Sequence, residues 1–287
     1  MTGFNRISID GAEYLIALPN QETDYIQKKI VEEEQPYELP MLRDIAKRVR
    51  PDGLVLDIGA NVGNHTLYLA AVAGCSVHAF EPNASLCEAL NLSVEANELS
   101  KKVEVHCVGL GREPAKAHFG HADESNLGGQ SLAIGSDEGD IIDVVRLDDL
   151  IFDRPVEAMK IDVEGMEIDV LEGASELVRR DRPLLYVECL NEQDFQNIRD
   201  WLEPFDYCYW DTFNATPTHL FVRGESVTEA QRIDRLMTKL VREGYQREER
   251  IHSLRSQLDQ ANKKYHDAVE QVSVLKQRFH DANLKYR

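Results

Sequence analysis

Ahead of Arg223, short apolar, β-branched runs alternate with segments whose apolar residues recur every three or four positions. The runs near 54–58, 76–80, 103–107, 157–161 and 184–188 read as strands, and the segments near 64–73, 83–97, 167–180 and 193–202 as helices. Such alternation predicts an α/β fold built on a doubly wound, mostly parallel sheet. The closing pair, FDYCYW and THLFV, is joined by too few residues for a parallel crossover and should form an antiparallel hairpin. At the start, ISIDGAEYLIAL alternates about Asp10 and Gly11, a two-residue hairpin turn, and helical stretches around 25–30 and in MLRDIAKRV follow it.

After Arg223 the period changes. Ile251, Leu254, Leu258, Ala261, Tyr265, Ala268, Val272, Leu275, Phe279, Ala282 and Tyr286 hold an unbroken alternation of three and four, the a/d seam of a coiled coil. Ile233, Met237 and Leu240 keep the register upstream, with Gly244 and Arg247 interrupting it. Residues 251–287 would reach about 55 Å as a helix, and because the seam runs to the last residue, more coil or a further domain is expected beyond it. The predicted organisation is a hairpin and helical cap over 1–50, an α/β domain over 51–224 and a coiled-coil segment over 225–287 that makes a homo-oligomer.

The 287 residues, 43% of them hydrophobic, suffice for one sizeable α/β domain with an appendage. No apolar run of spanning length occurs, and the N-terminus lacks a basic region followed by an apolar core. Neither a membrane span nor a signal peptide is predicted, so a cytoplasmic location is expected, with any attachment to the inner face of a membrane made through partners. From Glu225 onward basic residues outnumber acidic ones 13 to 10, so the first 224 residues carry −22 within a whole-chain net charge of −19. A domain of that charge repels phosphate backbones, which argues against nucleic acid as a partner. The five cysteines, Cys75, Cys87, Cys107, Cys189 and Cys208, are odd in number and show no C-x-x-C spacing, so reduced, packed thiols are expected. The polar, glycine-rich interval 120–139 is longer than a tight connection needs and reads as a lid.

Candidate chemistry concentrates at strand ends. VLDIGANVGNHTLYL, residues 55–69, reads as strand, tight turn and helix N-terminus, the arrangement with which α/β proteins hold nucleotide-like ligands. A dinucleotide fingerprint would be G-x-G-x-x-G; here Asn61 stands between Gly59 and Gly63, and Asp57 leads the turn. An acidic side chain beside a glycine-rich backbone suits the ammonium and carboxylate of S-adenosylmethionine better than a pyrophosphate, leaving a nicotinamide dehydrogenase as the lesser reading. Glu81 closes the next strand in VHAFEPN, where a carboxylate can accept both ribose hydroxyls. VGLG, 108–111, stands where class I methyltransferases place residues around the adenine, and Gly109 and Gly111 read equally as ordinary turn glycines.

In MKIDVEGMEIDVLEGA, residues 159–174, Lys160, Asp162 and Glu164 alternate with apolar residues and share one face before Gly165 turns the chain. Acidic enrichment at a helix N-terminus accounts for Glu164 and Glu167 but not for Lys160 and Asp162. Glu188, closing LLYVEC, should face the same crevice as Asp162. Asp162, Glu188 and Glu164 are candidate bases, with Lys160 orienting them, and Asp162 with Glu188 are the candidate ligands should a divalent cation such as magnesium take part. His219 on the terminal hairpin and His65 on the cofactor-side helix are weaker candidates.

Taken in order, DIGANVGNHT, AFEPN, the Asn126-Leu-Gly-Gly loop, RLDDL and KIDVEGMEIDVLEGA resemble the FkbM family of S-adenosylmethionine-dependent methyltransferases across roughly 36–223. The resemblance implies a class I, Rossmann-like sheet, S-adenosylmethionine as cofactor with Asn126 among the residues around it, and methyl transfer to a hydroxyl, expected on a sugar of a bacterial glycan or glycolipid. Chain-terminating polysaccharide methyltransferases also carry long coiled coils, which extends the expectation to a growing glycan's end, with the coil spacing the enzyme from a glycan-assembly partner. The rival expectation is an inactive methyltransferase fold serving as a coiled-coil scaffold; the intact Asp57, Gly59, Gly63 and Glu81 set argues against it.

Overall fold

The computed structural model describes residues 3–119, 132–134 and 141–285. It divides into two compact units, Met1–Val227 and Thr228–Arg287. The first opens with the hairpin β1 (Phe4–Ile9) and β2 (Ala12–Ala17), turned by Asp10 and Gly11 at φ 50° and 82°, and continues through α1 (Tyr25–Glu33) and α2 (Leu39–Arg48). Next come β3 (Leu54–Ile58), α3 (Asn64–Ala71), β4 (Ser76–Phe80), α4 (Ala84–Ala96) and β5 (Val103–His106). Four short strands follow: β6 (Gly109–Leu110), β7 (Ala115–Phe119), β8 (Leu132–Ile134) and β9 (Ile142–Val145). The unit closes with β10 (Val156–Ile161), α5 (Glu167–Gly173), α6 (Ser175–Asp181), β11 (Leu184–Glu188), α7 (Glu192–Leu202), β12 (Tyr207–Phe213) and β13 (Thr218–Arg223).

Seven strands form the main sheet in the order β12-β13-β11-β10-β3-β4-β5, with β11, β10, β3, β4 and β5 parallel. The terminal hairpin is antiparallel, as its short connection requires, and β13 lies between β12 and β11. Strand order reverses between β3 and β10, and a crevice opens beyond the carboxyl ends of strands at such a reversal. Strand periodicity divides the core in two. Val55, Val77, Ala79, Ala158, Tyr186 and Leu220 pack with the β1–β2 hairpin, α2, α3 and α4 on one face. Leu54, Leu56, Ile58, Phe80, Met159, Ile161, Leu185 and Val187 pack with α5, α6 and α7 on the other.

Three expectations change. The helix predicted over 167–180 is two helices, α5 and α6, parted at Ala174. At the end of α5 a Cβ on Gly173 would fall 2.1 Å from the Gly111 carbonyl, so glycine lets helix and loop approach. Cys87 and Cys107 are not free thiols but a disulfide, Cα atoms 5.8 Å apart, because α4 lies against the end of β5; among the described residues Cys75, Cys189 and Cys208 form no disulfide. The segment after β5 carries a second, four-stranded sheet of order β6-β9-β7-β8. Within the interval 120–139, β8 pairs antiparallel with β7, whereas the rest of the proposed lid, Asn126 included, lies outside the described residues.

The second unit is one helix, α8 (Glu229–Lys285). Its seam residues Ile233, Met237, Leu240, Ile251, Leu254, Leu258 and Tyr265 are exposed. Among the described residues no helix is long and apolar enough to cross a membrane.

Candidate active site

The parity that divides the core also gathers the charges. Asp57 pairs in register with Lys160, and Lys160 with Tyr186, so residues 57, 160 and 188 project from the same sheet face as Val55, Ala158 and Tyr186. Glu81, two residues beyond Ala79, joins them one strand over. These polar groups occupy the carboxyl ends of β3, β10, β11 and β4.

Lys160 is the hub, with only 2% of its side chain exposed. Its ammonium donates to the Gly59 carbonyl at 2.9 Å and stands 3.1 Å from Asp162 Oδ2 and 3.7 Å from Asp57 Oδ1. Burial opposes that charge, but Asp162, Asp57 and Glu38 outweigh it and hold the lysine protonated. Asp162 is likewise pushed up by burial and pulled down further by Lys160 and by a hydrogen bond with Glu188, so it stays ionised. Glu188 goes the other way: burial and the facing Asp162 raise it to about 10. Its Oε2 is buried and receives no hydrogen bond, which fits a carboxyl that carries its own proton at neutral pH. The pair therefore shares one proton, with Lys160 fixing which side is charged.

The turn after β3 is shaped by the same cluster. Gly59 has φ 76°, and a Cβ there would lie 1.8 Å from the Asp162 carbonyl oxygen, so the site's two loops touch only because this residue is glycine. Asn61, at φ 52°, donates its backbone N–H to Glu81 Oε2 at 2.8 Å, and the Asn83 N–H donates to Oε1 at 2.8 Å. Burial nevertheless raises Glu81 to about 7. Asn83 also caps α4 through the Ser85 and Leu86 N–H groups, so AFEPN is a carboxylate aimed into the crevice followed by a helix start.

Two adjoining cavities, of about 170 and 40 Å³, share Gly59, Glu81, Asp162 and Glu164. The smaller is walled by Phe80, Pro82, Val108, Leu110 and Met166, an apolar slot where the VGLG segment was expected. The larger takes in Lys160, Glu188, Asn61 and the candidate His65, together with groups that the sequence reading missed: Tyr25, Tyr37, Glu38 and Thr216. Asn64 fixes that wall, its Oδ1 accepting from the Tyr37 N–H at 2.9 Å and its Nδ2 donating to the Tyr37 carbonyl at 3.0 Å. His65 Nε2 stands 3.1 Å from Glu38 Oε2, both side chains nearly buried. The available signals were Pro36 and Pro40 bracketing Tyr37 and Glu38, and Asn64 and His65 directly after the turn. Asn61, Glu164 and Glu38 all carry left-handed backbone, at φ 52°, 52° and 62°. Such strain persists where the surroundings over-determine it, and it collects at functional sites.

Three candidates stand elsewhere. Asp57 is completely buried beneath the turn, accepting the Thr66 hydroxyl at 2.5 Å and facing Lys160, and lines neither cavity. Its place is to set the lysine, rather than to meet a ligand. Gly63, at φ 89°, caps α3 and lets it pass Leu90, whose Cδ1 would be 2.3 Å from an added Cβ. His219 pairs in register with Val187, so it projects to the face opposite Glu188. It packs on Phe195 with ring centroids 4.7 Å apart, bonds Thr212 Oγ1 at 2.9 Å, and is lowered by burial to about 4, an aromatic-core residue rather than a base at the site. Glu167 matches the structural reading of an acidic helix start: its Oε1 accepts from the Val163 and Gly165 N–H groups.

A parallel-rich open sheet with helices on both faces and a polar crevice at its order reversal defines a nucleotide-type α/β enzyme class. The family model of the methyltransferase FkbM domain matches residues 57–209, more than half of the chain, and the chain belongs to that family. It is 28% identical over 148 residues to Methyltransferase 1 of Beauveria bassiana (strain ARSEF 2860), covering 42% of this chain and 58% of that protein. Among solved structures it is similar to methyltransferase FkbM from Methylobacillus flagellatus KT, with 18% identity, TM-score 0.46, and coverage of 69% of this chain and 62% of that one. It is also similar to M. jannaschii TYW2 in complex with AdoMet, with 10% identity, TM-score 0.42, and coverage of 77% and 84%. The chain thus spans somewhat less than two thirds of the length of the Beauveria and Methylobacillus proteins.

Proposed function

We propose that this chain is an S-adenosylmethionine-dependent O-methyltransferase acting on a hydroxyl of a sugar in a glycan or glycolipid. The observation that carries the reading is Asp162, 3.1 Å from the buried Lys160 ammonium and beside Glu188, in a cavity that Glu81 also lines. The donor set fits the cofactor: an apolar slot suits a flat base, the Glu81 carboxylate between the cavities suits a ribose diol, and the turn bearing Gly59 and Asn61 suits an amino acid end. When bound, the cofactor supplies a methyl group on a positively charged sulfur that is already activated for transfer. What remains for the protein is to align the acceptor oxygen, exclude water and take a proton.

Asp162 is the residue for that proton: ionised, with 30% of its side chain open to the cavity, and next to both Lys160 and Glu188. It accepts the hydroxyl hydrogen, and Lys160 holds its charge in place. Tyr25 and Tyr37, meeting edge to face at 6.4 Å, give an aromatic wall above Glu38 and His65, a mixture of apolar faces and hydrogen-bond acceptors that matches a polyhydroxylated ring. A second reading of hydroxyl activation rests on Glu164, which comes within 4.8 Å of Asp162 and Glu188 and completes three carboxylates for a cation such as magnesium. Activity lost in chelator and restored by magnesium selects the cation; indifference to chelator selects the proton pair. The exposed apolar seam of α8 supports self-association through that helix, with a second copy covering it.

The test is incubation with labelled S-adenosylmethionine and a panel of bacterial glycans, with mass spectrometry locating the methyl, beside melting curves with S-adenosylhomocysteine. Asp162→Asn should keep the thermal shift and lose at least about a hundredfold in turnover, whereas Glu81→Ala should lose the shift. No shift in the wild type would remove the cofactor assignment, and methyl transfer confined to non-glycan acceptors would remove the sugar.

A further inference from the structure

At the outer edge of the sheet, away from the cavity, His78 of β4 and Glu104 of β5 sit side by side in register, and His106 follows on the same face two residues along. His78 Nδ1 and His106 Nε2 are 3.0 Å apart, and His106 Nε2 is 3.7 Å from Glu104 Oε1; the other carboxylate oxygen is 3.7 Å from His78 Nε2. We infer that His78, Glu104 and His106 form a metal site for a borderline divalent cation of the zinc type, which ties the edge strand β5 to β4.

The geometry suits that ion. Ligand atoms about 2.1 Å from a tetrahedral zinc lie about 3.4 Å from one another; two of the three separations here are 3.0 and 3.7 Å, and all lie within 4.8 Å. Two imidazoles with one carboxylate select zinc, nickel or copper over magnesium and calcium, which prefer oxygen. The rings are walled by apolar neighbours: His106 stacks on Phe80 with centroids 4.5 Å apart, and His78 meets Phe152 edge-on at 5.1 Å. Glu104 is exposed, which leaves room for a water as fourth ligand, and His78 and Glu104 border a cavity of about 300 Å³ that Asp153, Lys101, Lys102 and Arg154 also line. Binding asks for a change of tautomer and for the two rings, which now meet nearly head-on at 3.0 Å, to turn so that both nitrogens face the ion. The proton now shared between the two facing nitrogens moves to the far nitrogen of its own ring, so both imidazoles stay neutral and the carboxylate offsets one of the two positive charges.

The full chain, dialysed against chelator, is titrated with zinc in competition with a chromophoric chelator, and its melting temperature is followed with and without the metal. One equivalent should bind and raise the melting temperature. His106→Ala and the double variant His78→Ala/His106→Ala should lose more affinity than the roughly 10- to 100-fold typical of an outer-shell change, and their melting curves should no longer respond to zinc. Glu104→Gln, at an exposed position, carries the test should a histidine variant fail to fold: it should fold like the metal-free wild type and bind zinc more weakly. The site is refuted if the wild type binds no zinc, or if the double variant and Glu104→Gln bind it as the wild type does. It is also refuted if Glu188→Gln abolishes binding while His106→Ala retains it, since the ion would then sit in the cavity.

Discussion

Single residues decide whether the crevice closes and how it is charged. Gly59 is the strictest: Gly59→Ala places a methyl against the Asp162 carbonyl at a backbone angle that disfavours any L side chain. The loss of stability should be about 3 kcal/mol, read as a lower denaturation midpoint with an unchanged slope. Glu188 sets a pH dependence whose direction follows from its raised pKa. The folded state holds this proton more tightly than the unfolded chain, so its contribution is fully present below the ordinary value of 4.5 and is lost as pH rises towards about 10. Glu81, raised to about 7, adds to the same decline over the lower part of that window. Glu188→Gln, which mimics the protonated carboxyl, should therefore flatten the fall in melting temperature between pH 6 and 9 and leave the variant more stable than the wild type at the upper end. A variant that melts below the wild type across this range would mean that Glu188 is ionised in the native protein.

Among elements, the N-terminal hairpin belongs to the first unit's core through Ile7, Tyr14 and Ile16. Its outer strand is also clipped to α4: Asn97 Oδ1 accepts the Leu15 N–H at 2.7 Å, its Nδ2 donates to the Leu15 carbonyl at 2.6 Å, and Ser93 Oγ accepts the Ala17 N–H at 2.9 Å. Removing the Asn97 amide leaves two backbone groups of β2 unpaired. Asn97→Ala should cost about 1–3 kcal/mol and speed amide exchange over residues 12–17 before it changes exchange in β3 or β10. The strands and most helices were legible because each carries its own period, and so were the Asp10 and Gly11 turn and the terminal hairpin. The four-stranded sheet was not, since β6 has two residues and β8 three, too short to show alternation. The split between α5 and α6 follows from the passage of Gly173 over Gly111, 62 positions away, which no local pattern contains.

On the scale of the whole molecule the two units differ in how they are stabilised. The first unit buries two apolar layers about one sheet, whereas Ile233, Met237, Leu240, Ile251, Leu254, Leu258 and Tyr265 of α8 are exposed. A chain ended after Val227 should keep the melting temperature of the full chain to within a few degrees and retain any cofactor binding. In sedimentation equilibrium it should run as a monomer, while the full chain associates. Equal masses for both would show that α8 does not drive assembly.

From the sequence alone came the α/β class, the strand-end motifs and the common face of Lys160, Asp162 and Glu164, because side-chain parity along a strand is a property of the strand itself. Tertiary structure decided which of the remaining candidates reach the crevice. Asp57 sank beneath it, Gly63 became a packing contact and His219 turned to the opposite face, while Tyr37, Glu38 and His65 were brought in. It also joined Cys87 to Cys107 and set His78 against His106. Each of these depends on register between strands or on the packing of a helix over a distant strand, and such long-range contacts leave no local period in the chain.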